Sequence, residues 1–218
     1  MMTWHSVTMS QQPSPYTNIP TREWQSVTQR LLDIHPLSEH EIVDIVLSTW
    51  QSIFASKLGA HGFSIGEDIF PKPQILGFLL HTLIPLELAA REPGQWRSDN
   101  SNIDKDCVYI PDDEYSFEIK TSSHKNRIFG NRSYAQRDKM AKKRADGYFL
   151  TINFEKIEEP SEAASEGSDS TKRKPRINLI RFGWIDAEDW RGQKSSSGQQ
   201  ASLPPEVYAG KLKMLYQA

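Results

Sequence analysis

A single cysteine, Cys107, is the chain's entire thiol content. That excludes an intramolecular disulfide and any zinc site built from several thiolates, and it makes a reducing, intracellular setting the expectation. Long apolar runs are missing too. No stretch approaches the roughly 18 apolar residues that cross a bilayer, so no membrane partner is expected. Met1 to Pro20 lacks the basic-then-apolar pattern of a leader, which points to a cytoplasmic protein. An excess of charge of one sign is also lacking. The formal net charge of -2 taken alone argues against a polyanionic partner, because phosphate binding draws on positive charge. Hydrophobic residues make up only 37% of the 218, and the deficit sits in the N-terminal stretch and between Glu155 and Lys174, which read as loops. The length suits one domain, or one domain with a helical extension.

What is present is charge unevenly placed. From Lys120 to Asp146 nine Lys or Arg (Lys120, Lys125, Arg127, Arg132, Arg137, Lys139, Lys142, Lys143, Arg144) stand against two acids, Asp138 and Asp146. The acidic, Ser-rich stretch through Glu155, Glu158, Glu159, Glu162, Glu166 and Asp169 offsets the total without having to lie near the basic segment.

Helical periodicity opens the chain. Thr21 is placed to cap a helix carrying Trp24, Val27 and Leu31, ending near His35-Pro36. Ser38 with Glu41 forms a capping box for a second helix, with Ile42, Ile45, Val46, Thr49, Trp50 and Phe54 on one face. A connector, His61 to Pro73, leads to a third helix, Gln74 to Arg91, which carries Glu87.

After Glu92-Pro93-Gly94 the period changes from helix to strand. Cys107 to Ile110 is a short strand, Pro111 to Glu114 a turn, and Tyr115 to Lys120 a second strand, together a hairpin. Side chains repeat every two residues along a strand, so Glu118 and Lys120 share a face. A basic helix from about Ser133 to Arg144 and a buried strand from Gly147 to Glu155 follow. That β, α, β order implies a crossover in a mixed sheet. Arg176 to Ile185 is a further strand, Asp186 caps a short helix containing Trp190, and Gln193 to Ser202 is a polar loop. The expected fold is α/β, a central mixed sheet flanked by helices. Residues 1–20 form a flexible N-terminus, 21–72 a helical part, and 73–218 the core with polar insertions near 156–174 and 193–202.

The hairpin gathers a chemistry-bearing set. Asp106 stands at the edge of one strand, with Glu118 and Lys120 on the facing strand. Phosphodiester hydrolysis needs carboxylates to hold Mg²⁺ and a cation beside the attacking water, and the backbone carbonyl of Ile119 can add an oxygen ligand. Pro111-Asp112 is a rival first element but lies in the turn; Asp104 is the fallback for Asp106. A Glu-x-Lys pair alone is also the ordinary pattern of a solvated strand, but here its flanks are the apolar Phe117 and Ile119.

An acid followed downstream by Glu-x-Lys on a strand resembles the PD-(D/E)XK nuclease superfamily. Three segments carry a narrower likeness: Asp106 to Ile110, Tyr115 to Ser123, and Ile128 to Gln136. They resemble type II restriction endonucleases, the ScaI-like group in particular, with a likeness spanning roughly residues 75 to 190 and including the Phe182-Gly183-Trp184-Ile185-Asp186 strand end. The resemblance implies a restriction-endonuclease-like fold and a homodimer that cuts both strands of a short palindromic DNA site with Mg²⁺, leaving 5′-phosphates, beside a companion DNA methyltransferase. It also implies a helix acid before the hairpin that contributes to metal binding, and Glu87 is the matching position.

Candidate DNA contacts follow the motif: Ser122, Ser123, Lys125, Asn126, Arg127, Asn131, Arg132, Gln136, Lys139 and Lys143. Basic side chains hold phosphates without reading sequence, whereas Arg, Asn and Gln also match base edges. His124 stands outside the catalytic set as a structural residue or phosphate contact. Rival readings are a structure-specific or repair nuclease on the same fold, a DNA-binding module without chemistry, and a metal-dependent hydrolase of other substrates.

Overall fold

The Ser38 capping box forms as the sequence requires: the Ser38 hydroxyl accepts from the Glu41 N–H, and the Glu41 carboxylate accepts from the Ser38 N–H at 2.8 Å. It opens α2 (Glu39–Ala55), whose Ile42, Ile45, Val46, Trp50, Ile53 and Phe54 are buried along one face. In the computed structural model, which describes residues 13–135, 145–158, 174–195 and 198–218, α2 packs beside α1 (Trp24–Asp33) and α3 (Pro73–Arg91). The start of α1 differs from expectation. Pro20, not Thr21, opens a single 3-10 turn, Thr21–Glu23, and neither it nor Glu23 supplies a side-chain cap.

Between α2 and α3 a two-stranded hairpin, β1 (Lys57–Leu58) and β2 (Phe63–Ser64), takes the connector. Beyond α3 the chain lays down β3 (Trp96–Ser98), β4 (Cys107–Tyr109), β5 (Phe117–Ser122), β6 (Phe129–Asn131), β7 (Gly147–Phe154) and β8 (Ile177–Ile185). It ends in β9 (Arg191–Gly192), β10 (Gln200–Ser202), α4 (Pro205–Gly210) and β11 (Leu212–Gln217).

The central sheet has six strands in the order β11-β8-β7-β5-β4-β3. Only β5 with β7 is parallel; the other neighbours are antiparallel, so the sheet is mixed. All eight residues of β7 are buried, as expected of a central strand covered on both faces. Its side chains alternate between two apolar clusters. Tyr148, Leu150, Ile152 and Phe154 join Phe117 and Ile119 under the helices α1 to α3. Phe149 joins Ile128, Trp190, Ala201, Leu203 and Val207 on the other face, beneath α4 and a second sheet of three strands, β6-β10-β9.

α3 has the length and composition of a membrane-crossing helix, contrary to the expectation that no segment approaches one. Here its Leu76, Leu80, Ile84 and Leu88 are buried in the core cluster against the sheet. Within residues 13–20 the chain packs against the core. Tyr16 is buried, its hydroxyl 2.8 Å from Thr28 Oγ1, and the Ser14 hydroxyl donates to Asp186 Oδ2. Asp186 and Asp189 clasp the buried Lys211 Nζ at 2.6 and 2.7 Å, an ion cluster that ties both ends of the chain to the β8 end.

The small sheet was not expected. Its strands are two or three residues long, and β10 lies where a polar loop was read. The helix expected at Trp190 is a 3-10 turn, Ala187–Asp189, and the segment expected as a basic helix begins with another, Arg132–Ala135. Residues 136–144 of that expected helix, most of the 156–174 insertion, and Met1 to Gln12 lie outside the described residues.

Candidate active site and nucleic-acid interface

The β4–β5 hairpin places the acids. Cys107 pairs with Phe117, so the register continued by one residue sets Asp106 opposite Glu118. Asp106 Oδ2 accepts the Ile119 N–H at 2.8 Å. In an extended strand the N–H and C=O of one residue point to the same edge, so the Ile119 carbonyl also faces Asp106. Asp104 is engaged elsewhere: its Oδ2 accepts from the Asn100 N–H at 2.9 Å and from Arg97 Nη1 at 2.8 Å, which holds its carboxyl below the usual range. Asp112 caps the turn ahead of β5 by accepting from the Glu114 N–H.

On β5, Phe117 and Ile119 point into the helix-side core while Glu118 and Lys120 point to the small-sheet side. Glu118 is only 2% exposed. Its Oε1 accepts from Lys120 Nζ at 2.8 Å and from the Tyr134 hydroxyl at 2.5 Å. A carboxylate this buried persists as an anion only with charged and hydrogen-bonded partners, and both are supplied. Tyr134, which the sequence did not single out, has its phenol pKa pushed up by burial and by the Glu118 charge.

A second such residue is His81 on α3, whose Nδ1 stands 3.4 Å from Asp106 Oδ2. α3 comes this close because Gly77, one turn earlier, presses on Thr121; a Cβ there would meet Thr121 Oγ1 at 2.6 Å. Glu87 is six residues beyond His81, which sets the two about 120° apart around the helix axis. Among the described residues it makes no hydrogen bond or ion pair with Asp106, Glu118 or Lys120, and its helix covers the sheet face opposite Glu118.

An open groove of about 820 Å³ runs past this hairpin end, lined among others by Gln74, Phe78, His81, Ser122, Ser123 and Lys125. Its rim is the loop 123–128, which the fold holds from below. Asn153, fully buried, donates from Nδ2 to the carbonyls of His124 and Arg127 at 2.8 and 2.9 Å. Arg181 donates to the Asn126 carbonyl at 3.3 Å and lies over the Tyr208 ring, while Tyr208 Oη accepts the Ile128 N–H at 3.0 Å. His124 Nδ1 accepts the N–H groups of both Asn126 and Arg127 and so shapes the loop.

Comparison with known proteins decides the family. The ScaI restriction endonuclease family description matches residues 14–216. The type II restriction enzyme ScaI of Streptomyces caespitosus is 51% identical over 195 residues, 89% of this chain and 81% of that protein. No solved structure matches. The chain belongs to the ScaI restriction endonuclease family.

That family match is wider than the 75–190 span of likeness read from motifs, and takes in α1 and α2. The helices earn their place in the family fold by covering one face of the sheet that carries Glu118 and Lys120. The expected DNA contacts divide on inspection. Lys125, Asn126 and Arg127 are exposed on the rim loop, and Ser122 and Ser123 line the groove. Asn131 is exposed on β6, paired in register with Gln200. Arg132 differs: Nη1 donates to the carbonyls of Ser195 and Gly198, so it fastens the loop before β10. Gln136, Lys139 and Lys143 lie outside the described residues.

Proposed function

We infer that this chain acts as a type II restriction endonuclease, hydrolysing both strands of a short palindromic DNA site as a magnesium-dependent homodimer, leaving 5′-phosphates and serving beside a companion DNA methyltransferase. The observation that carries the reading is the bond of Asp106 to the strand bearing the Glu118–Lys120 pair, beside a groove lined by His81 and Ser122, in a chain of this family.

The donor set fits magnesium, which takes oxygen ligands in octahedral geometry: two carboxylates and a peptide carbonyl, with no thiolate or imidazole required. Asp106, Glu118 and the Ile119 carbonyl would hold it, and when bound it supplies Lewis-acid polarisation of the scissile phosphate. Lys120 Nζ, tethered to Glu118, orients the attacking water and offsets charge building on the phosphoryl oxygens. Ser122, Ser123, Lys125 and Arg127 hold the backbone of the duplex in the groove, and Asn126, Asn131 and Gln136 are the side chains suited to base edges.

The test is digestion of a long unmethylated DNA of known sequence with Mg²⁺ or with EDTA. Discrete magnesium-dependent fragments are expected, with ends that define site and stagger. Nicking only at branches or mismatches would replace this reading with a structure-specific nuclease, and inertness with every divalent metal would leave a DNA-binding module.

A further inference from the structure

The groups that hold Glu118 and Lys120 in place converge on one side chain. Glu118 is buried, so its charge needs partners within the protein. Tyr134 supplies one of them, a 2.5 Å hydrogen bond to Oε1. A hydroxyl donating to a carboxylate is a short, charge-assisted bond, about twice as strong as a neutral one. The same Tyr134 presents its ring to Lys120, whose Nζ lies 4.9 Å from the ring centroid, inside cation–π range.

Tyr134 is itself immobilised. Its ring packs 4.9 Å from that of Trp190 and 6.3 Å from that of Phe149. Gly130 lets these rings close up, since a Cβ there would lie 2.9 Å from Trp190 and 3.2 Å from Tyr134. The 3-10 turn that carries Tyr134 follows directly on β6, so the small sheet that bears Asn131 also aims the tyrosine.

We propose that Tyr134 is a positioning residue for the catalytic pair: its hydroxyl sets the rotation of the Glu118 carboxylate and its ring sets the position of Lys120. The proposal rests on the reading of Asp106, Glu118 and Lys120 as the active centre. Hydrogen-bond partners of ligating carboxylates cost about 10–100-fold in metal affinity or activity when removed.

Two variants separate hydroxyl from ring. Tyr134→Phe keeps the ring and its packing; Tyr134→Leu removes both contacts. Mn²⁺ uptake by the purified protein is followed by electron paramagnetic resonance, and cleavage by single-turnover kinetics, with Lys120→Ala run alongside. Tyr134→Phe is expected to weaken Mn²⁺ binding about 10-fold and slow cleavage about 10–100-fold, with affinity for DNA in Ca²⁺ unchanged and the protein folded at the assay temperature, though with a lowered melting temperature. Tyr134→Leu is expected to be slower than Tyr134→Phe by a further factor of about ten, reflecting the lost cation–π contact. Wild-type metal uptake and rate in Tyr134→Phe overturn the proposal, as does a rate loss that only tracks a fall in DNA affinity and melting temperature. If Lys120→Ala is inert while Tyr134→Phe is normal, the positioning role alone fails. If Lys120→Ala cuts at the wild-type rate, or the wild-type protein takes up no Mn²⁺, the active-centre reading fails with it.

Discussion

Asp106 accepts the backbone N–H of Ile119 at 2.8 Å, so this acid is locked onto the strand that carries Glu118 and Lys120, the other two groups of the proposed centre. Asp104, two residues earlier, is held instead by Arg97 and the Asn100 N–H in its own loop. Asp106→Ala is therefore expected to lower cleavage by about 10³-fold, equivalent to about 4 kcal/mol of barrier. Asp104→Ala should stay within a few-fold of wild type in rate while losing thermal stability. Single-turnover rates of the two variants check this, and the reverse ranking would move the metal site to Asp104.

Lys120→Ala removes the cation beside Glu118 without touching the groove rim. It is expected to abolish cleavage while leaving affinity for cognate DNA in Ca²⁺ within a few-fold. Gel-shift titration beside a cleavage assay checks both, and full activity in the variant would take Lys120 out of the mechanism.

Asn153 stands under the rim loop with no exposure to solvent, its amide shared between the carbonyls of His124 and Arg127. Asn153→Ala leaves both carbonyls without that donor, a loss of about 1–3 kcal/mol in urea unfolding. Because Lys125, Asn126 and Arg127 sit on the same loop, DNA affinity should fall as well. Unchanged stability and binding would show that the loop is held by Arg181 and Tyr208 alone.

His35 gives the protein a pH dependence of stability. It is buried among the rings of Trp96, Tyr115, Phe117, Tyr148 and Phe182, and burial lowers its pKa from 6.5 to about 4. Its Nδ1 accepts the Leu37 N–H, which the neutral ring allows. A folded-state pKa below the unfolded value means the unfolded chain binds the proton first. The contribution is therefore complete above about pH 6.5 and is lost as pH falls towards and through 4, up to about 3 kcal/mol in all. Urea midpoints between pH 7.5 and 4.5 should decline, and His35→Phe should flatten that decline; an equally steep decline in the variant would assign it to other groups.

The helices α2 and α3, the β4–β5 hairpin and the placing of Glu118 with Lys120 on one face were legible in the order of residues. Each rests on a local cause: a capping box, a helical run, a period of two. The pairing of β5 with β7 was legible for a similar reason, since a strand, an intervening segment and a buried strand imply a crossover. The mixed sheet then follows.

The neighbours of Asp106 and Glu118 from distant parts of the chain come from packing. Tyr134 lies 16 residues past Glu118, and His81 lies 25 before Asp106; no periodicity joins such positions. The strands of the small sheet are too short for a pattern of their own, and their pairing depends on packing over Phe149 and Trp190. Asp104 and Asp106 differ in which backbone N–H each carboxylate accepts, Asn100 for the one and Ile119 for the other. Glu87 and His81 share a helix, and the close approach of Gly77 to Thr121 settles which of them comes near Asp106. Local pattern tells which residues can carry the chemistry; long-range packing tells which of them meet.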